Sequence, residues 1–170
     1  MWEKVVRSGR WWSAGEVRRF GFKDKVELMF LNHYRHNMDE KGRLTIPARY
    51  RELISQGAYI TLGFDQNLMV LTTSYFNEIA ERSAKLSLTD PTSRQLMRLI
   101  FSNAERVEID KAGRILIPQS LREAAQLESE AVIVGVLNHF EIWAPSLWDR
   151  QSDSMTNAEA NEQRFSALSL

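Results

Sequence analysis

Two five-residue segments bring a carboxylate, a glycine and an arginine together at one spacing: Asp39-Glu40-Lys41-Gly42-Arg43 and Asp110-Lys111-Ala112-Gly113-Arg114. An aspartate at a turn entry accepts backbone hydrogen bonds, and a glycine before the last residue takes φ > 0, which is the chemistry of a tight hairpin loop. The arginine then has two uses. It can pair with the aspartate across the turn, an exposed ion pair worth at most about 1 kcal/mol. Alternatively its guanidinium can bind phosphate oxygens bidentately or read O6 and N7 of guanine in a major groove, which a two-stranded ribbon can enter. The surroundings separate the two copies. From 35 to 51 the chain carries Arg35, Lys41, Arg43, Arg49 and Arg51 against Asp39 and Glu40. From 106 to 122 it carries Arg106, Lys111, Arg114 and Arg122 against Glu108 and Asp110. The binding use is therefore the stronger reading for Arg43 and the structural use for Arg114. Arg51 and Arg122 each precede a glutamate on an expected helix and read equally well as solvated-face residues.

Other chemistries find little support. The chain has no cysteine, which excludes disulfides, thiolate metal sites and cysteine nucleophiles. Of three histidines, His33 and His36 lie in an alternating, strand-like stretch where a spacing of three points the rings to opposite faces, so no metal site is expected. No glycine-rich phosphate loop or Ser/His/Asp order occurs, and Asp39 and Glu40 share a turn without an expected pocket. The expectation is a protein that is not an enzyme and needs no cofactor.

The elements that must hold the two turns form an internal repeat. Residues 39–47 align with 110–118, sharing Asp, Gly, Arg, Ile and Pro in register, and the match continues through Arg51-Glu52 against Arg122-Glu123. With one residue inserted it reaches Gly63 against Gly135 and Val70-Leu71 against Ile142-Trp143. Each copy reads as strand, tight turn, strand, short helix, hairpin, helix. Pro47 and Pro118 fit a helix first turn better than a strand interior, predicting helices over 48–56 and 119–126. Alternating stretches predict hairpins from 58–62 with 68–72 and from 131–134 with 140–144. Asp90-Pro91 is an N-cap followed by proline at the first helical position, and Leu96, Leu99 and Ile100 give the linking helix an apolar stripe. Tyr50, Leu53 and Leu121 read as core, and Trp143 and Trp148 as core or protomer interface. The polar stretch from 151 to 170 predicts a flexible tail.

With these paired motifs in place, residues 29 to about 150 resemble the MraZ family of bacterial transcriptional regulators, within the SpoVT/AbrB swapped-hairpin superfamily. The resemblance implies an α+β fold of two tandem SpoVT/AbrB-like repeats forming an intramolecular swapped-hairpin β-barrel with flanking helices. The repeats are assigned to 33–75 and 104–147, joined by a helical linker over 76–103. It also implies a ring-shaped homo-oligomer that binds double-stranded DNA at G-rich direct repeats about 10 bp apart, upstream of its own gene, and represses a cluster of division and cell-wall genes. The DNA-contacting candidates are Lys41, Arg43, Arg49, Arg51, Arg35 and Arg114, carried on turns set by Asp39, Gly42, Asp110 and Gly113. A ring-forming interaction scaffold without sequence-specific DNA binding is the alternative.

Composition fits this reading only when taken locally. The 170 residues are 44% hydrophobic and 26% charged, as in a globular domain, and 22 basic residues balance 22 acidic ones. No apolar run approaches the roughly 20 residues that span a bilayer, so a cytoplasmic protein without a membrane partner is expected, and the resemblance to a DNA-binding regulator implies that it is nucleoid-associated. Residues 1–28 carry seven basic against four acidic residues, and the remaining 142 are net acidic, so the basic stretch from 35 to 51 stands out from its own domain.

The first 28 residues precede the family's usual start near Met29-Phe30-Leu31. Tryptophan has the single codon TGG, so Met1-Trp2-Glu3 requires GTGGGA from coding position 3, and Trp11-Trp12 requires GTGG at position 33. Val5-Val6 and Ser8-Gly9 can encode the same element at positions 13 and 23. Four elements ten nucleotides apart lie on one face of a duplex whose turn is about 10 to 10.5 bp. Lys25-Val26 can encode a purine-rich AAGGTG, placed as a ribosome-binding site for Met29. Residues 1–28 therefore read as an N-terminal extension that is mostly conceptual translation of the upstream operator, the alternative being a real extension whose codons match by chance.

Overall fold

The computed structural model describes residues 29–166 and 168. The reading of residues 1–28 lies outside that range. The first repeat runs β1 (His33–Asn37), β2 (Arg43–Thr45), α1 (Ala48–Arg51), β3 (Ala58–Leu62), β4 (Leu68–Thr72) and α2 (Thr73–Ser83). A linking helix, α3 (Pro91–Phe101), leads to β5 (Glu105–Val107), β6 (Arg114–Leu116), α4 (Gln119–Ala124), β7 (Glu130–Val136), β8 (His139–Trp143) and α5 (Pro145–Thr156), followed by α6 (Ala158–Phe165).

The repeats exchange their strands. β1 pairs with β7 and β5 with β3, each antiparallel and each crossing from one repeat to the other. β2 pairs with β6 in the register Arg43↔Leu116, Leu44↔Ile115 and Thr45↔Arg114. The hairpins β3–β4 and β7–β8 stay within their own repeats and join through β4–β8. The result is an α+β fold with a six-stranded antiparallel sheet, ordered β1-β7-β8-β4-β3-β5, and a separate two-stranded ribbon, β2-β6. β1 and β5 end the larger sheet, so among the described residues the hydrogen-bonded ladder remains open where a barrel was expected.

The ribbon is anchored from beneath. Leu44 and Ile115, its central pair, are fully buried together with Ile46, Ile117 and Tyr50. Burial of each such aliphatic side chain contributes roughly 1.5–3 kcal/mol. Tyr50 packs edge-on to Phe30 with centroids 4.9 Å apart and lies 5.4 Å from Phe140. Its hydroxyl donates to the carbonyls of Leu31 at 2.7 Å and Asn32 at 3.1 Å, and burial pushes its pKa up to about 12.

Several local expectations shift. The helix predicted over 48–56 ends at Arg51, because the chain then descends through turns to Gly57 at φ 89°, where a glycine is needed. Its counterpart ends at Ala124, ahead of Gln126 at φ 54°. On α3, Asp90 caps the N-terminus by accepting from the amides of Thr92 and Ser93, but only Ile100 of the expected stripe is fully buried, with Leu96 and Leu99 half-buried. Leu53 is likewise only partly buried against the core.

Within the stretch expected as a flexible tail, the described residues are largely helical: α5 continues to Thr156 and α6 follows over Ala158–Phe165. Pro145 starts α5, and Leu147 and Trp148 bury its first turns, with Trp148 edge-on to Trp143 at 5.8 Å. Asn157 then caps α6 by accepting from the amide of Ala160, and Arg164 donates back to the carbonyl of Ser154. Capping and one long-range hydrogen bond supply what the polar composition hid.

Candidate nucleic-acid interface

Directly paired residues of an antiparallel ribbon share a face. Leu44 and Ile115 point inward, so Arg43, Thr45, Arg114 and Leu116 point outward together. Leu116 is 56% exposed, a large apolar side chain held among arginines. The alternation with buried Ile115 and Ile117 was the sequence signal that could have found it.

The turn at each end is built as the residues suggest. The Asp39 carbonyl accepts from the Gly42 amide at 2.8 Å, and the Asp39 amide donates to the Arg43 carbonyl at 3.0 Å. Asp39 Oδ1 accepts from the amides of Lys41 and Arg43, and Oδ2 accepts from Arg43 Nε at 2.7 Å. The second turn repeats this: Asp110 Oδ1 accepts from the amides of Ala112 and Arg114, and Oδ2 from Arg114 Nε at 3.0 Å. The copies differ in how far the arginine reaches. Arg114 Nη1 also reaches Asp39 Oδ2 at 3.4 Å, whereas among the described residues Arg43 pairs with Asp39 alone. Arg114 is therefore the more tied arginine, bridging both turns. Backbone hydrogen bonds from Arg43 hold the Asp39 carboxyl below the usual carboxylate range, and the Arg114 side chain does most to lower Asp110.

The helix arginines enter crosswise. Arg51 Nε donates to the Ile46 carbonyl at 2.8 Å, and Arg122 Nε donates to the equivalent Ile117 carbonyl at 3.2 Å. From there Arg122 crosses to the turn of the first repeat, where a Cβ built on Gly42 would lie 2.7 Å from its Nε. Arg51 crosses to the second, where a Cβ on Gly113 would lie 2.4 Å from its Cζ. Gly42 and Gly113 have φ of 79° and 76°, so glycine serves both the turn and the close approach. Reciprocal backbone bonds, Ile46 amide to Gly113 carbonyl and Ile117 amide to Gly42 carbonyl, both at 2.9 Å, lock the same junction.

Lys41 and Lys111 are exposed at the turn tips and Arg49 is exposed on α1. Arg35 goes elsewhere: it faces outward on β1 and is ion-paired to Asp149 of α5, so the structure does not bring it to the ribbon. Arg122, absent from the sequence-derived candidates, is brought there instead. Its alignment with Arg51 was the available signal; the crossing that puts it against the other repeat's turn has no local signature.

Elsewhere, among the described residues, no three His, Asp or Glu side chains converge as a metal-ligand group. A groove of about 470 Å³ beside α2 and α3 is lined by Phe64, Met69, Leu71, Ile79 and Ile100, with His139 and Glu141 at its sheet side. Burial lowers the pKa of His139 and raises that of Glu141. No helix of the described residues is long and apolar enough to cross a membrane.

Comparison with known proteins agrees with this doubled architecture. The model of the MraZ protein family, antitoxin-like in its description, matches residues 29–99 and again 100–168. The chain is 45% identical over 141 residues to "Transcriptional regulator MraZ" of Roseiflexus sp. (strain RS-1), covering 82% of this chain and 99% of that one. It is 46% identical over 130 residues to the protein of that name from Finegoldia magna, covering 76% and 91% of the two chains. With its Herpetosiphon aurantiacus counterpart it shares 40% over 143 residues, covering 84% and 100%.

Proposed function

The chain belongs to the MraZ family, and from that membership we propose that it is a transcriptional regulator that binds double-stranded DNA in a sequence-specific way. The observation that carries this reading is the crosswise ribbon. Two turns from different repeats present Arg43 and Arg114 on one outward face, supported by a fully buried Leu44/Ile115 pair. A two-stranded ribbon of this kind fits a major groove, where arginine reads guanine. Arg43, with a single carboxylate partner, is the principal base reader. Arg114, held by two, mainly fixes the geometry.

The proposed target is the DNA that encodes residues 1–28, acting as an operator of four GTGG elements about 10 bp apart. Two findings support this. The family match begins at residue 29, and the alignments with relatives take in 99–100% of their own length but 82–84% of this chain. The codons of Met1-Trp2 and Trp11-Trp12 fix two elements thirty nucleotides apart. On this reading translation begins at Met29 and the protein represses its own gene and the division and cell-wall genes that follow. A ring of protomers sets successive ribbons against successive elements, and linkage raises the avidity of individually weak contacts. The site of action is the nucleoid.

A gel shift with DNA from just upstream of codon 29, run across a salt series, tests the proposal. Salt-sensitive binding that disappears when the GTGG elements are scrambled is expected. Ring assembly without such binding would identify the protein-interaction scaffold instead.

A further inference from the structure

We propose that Arg51 and Arg122 are the phosphate-contacting cations of the ribbon face, each completing the turn of the opposite repeat. The inference rests on the DNA-binding reading and divides its work among the arginines.

Charge at the ribbon carries the argument. Arg43 and Arg114 face Asp39 and Asp110, two cations against two carboxylates that are held in their anionic form. The motif arginines therefore add shape and hydrogen-bond donors to this face but almost no net charge. Arg51 and Arg122 differ. Each uses Nε on a main-chain carbonyl, which leaves its charge uncompensated, and among the described residues neither has a carboxylate within ion-pair distance. Glu52 and Glu123 follow them in the chain, but Glu123 accepts from Gln119 instead and Glu52 is exposed and has no ion pair among the described residues. The field of Arg51 is felt locally: after burial, its charge is the second cause that lowers the pKa of His36.

Geometry makes the two guanidinium groups ready receivers. Both are partly buried against the backbone of a glycine turn, so their side chains are already ordered and less conformational entropy remains to be lost on binding. Their Nη groups retain donors in the fork that matches phosphate oxygens. The exposed Lys41 and Lys111 sit on the same two turns, so each end of the ribbon pairs a lysine with an arginine from the opposite repeat. Glu40 offsets part of that charge at the first turn; its counterpart in the second is Lys111, followed by the neutral Ala112. Cations at both ends of a ribbon flank a groove on its two phosphate walls, while Arg43 between them faces the bases.

The division is testable by the salt dependence of binding. Anisotropy titrations of the full chain on the GTGG duplex and on a scrambled duplex would be repeated for Arg51→Gln, Arg122→Gln, Arg122→Lys and Arg43→Gln. Each glutamine variant of the helix arginines is expected to reduce the slope of log K against log salt by about 0.9 per bound protomer, with the preference for GTGG over scrambled DNA retained. Arg122→Lys keeps the charge and so the slope. Arg43→Gln is expected to lose the preference and change the slope little. Should the glutamine variants fail to fold, loss of slope in Arg122→Lys would overturn the proposal and a retained slope would support it. A folded Arg51→Gln or Arg122→Gln protein with an unchanged slope, or with the preference lost, would also overturn it. Absence of salt-sensitive binding by the unmodified chain would instead sink the DNA-binding reading itself.

Discussion

Replacing Gly42 by alanine strikes the junction on which both the turn and the crosswise arginine depend. Gly42 has φ 79°, and an L-residue in the left-handed region costs roughly 1–2 kcal/mol. The new Cβ would also lie 2.7 Å from Arg122 Nε and 3.0 Å from the Ile117 carbonyl oxygen, so the guanidinium must move and its hydrogen bond to that carbonyl is lost. A hydrogen bond of this kind contributes about 1 kcal/mol net. The sum is roughly 2–3 kcal/mol, which for a domain of this size lowers the melting midpoint by roughly 5–10 °C. Urea denaturation of the single variants Gly42→Ala and Arg122→Ala and of their combination would separate the parts. The double variant should cost about 1 kcal/mol less than the sum of the singles, because the clash and the lost bond are one event. A Gly42→Ala protein within about 0.5 kcal/mol of the unmodified chain, or strictly additive costs, would refute the described packing.

Three further outcomes follow from the same geometry. Arg43→Ala should weaken operator binding with the oligomer intact, whereas Arg114→Ala, which removes the bridge between the turns, should affect binding less and thermal stability more; gel shift, size-exclusion chromatography and melting curves read the three quantities. Tyr50→Phe leaves the carbonyls of Leu31 and Asn32 without their shared donor and should cost about 1–2 kcal/mol by urea denaturation. The pKa of His139 is depressed in the fold, so its stabilising effect is complete above its ordinary 6.5 and is lost as pH falls through the depressed value. Stability measured against pH should therefore decline first in that window in the unmodified chain, with the decline reduced in His139→Gln, and a second decline below 3.8 as Asp39 and Asp110 titrate.

The repeat made much of this molecule legible in advance. The β3–β4 hairpin lies at 58–62 and 68–72 as alternation indicates, and Asp39 and Asp110 make the amide bonds that their place before a glycine implies. Local chemistry suffices for such features, since the interacting groups are a few residues apart. The crossing of strands between repeats is different in kind. Nothing local tells β2 to pair with β6 rather than with a strand of its own copy, and the positions of Arg51 and Arg122 against the turn glycine of the opposite repeat follow only from that exchange. Arg35 lies apart from the ribbon for a related reason: its basic neighbourhood in sequence is not its neighbourhood in space, where α5 supplies Asp149. The helices after Trp148 were missed because a cap at Asn157 and a bond from Arg164 to Ser154 stabilise residues whose composition is that of a tail.

Sequence-specific binding through Arg43 is tested most directly by a single titration series. The full chain would be measured by anisotropy on a duplex carrying the four GTGG elements about 10 bp apart, on the same elements scrambled, and on the four-element duplex with Arg43→Ala protein. Tight binding is expected only in the first case, with scrambling and the Arg43 substitution each weakening it severalfold or more. Equal affinity across all three would contradict it.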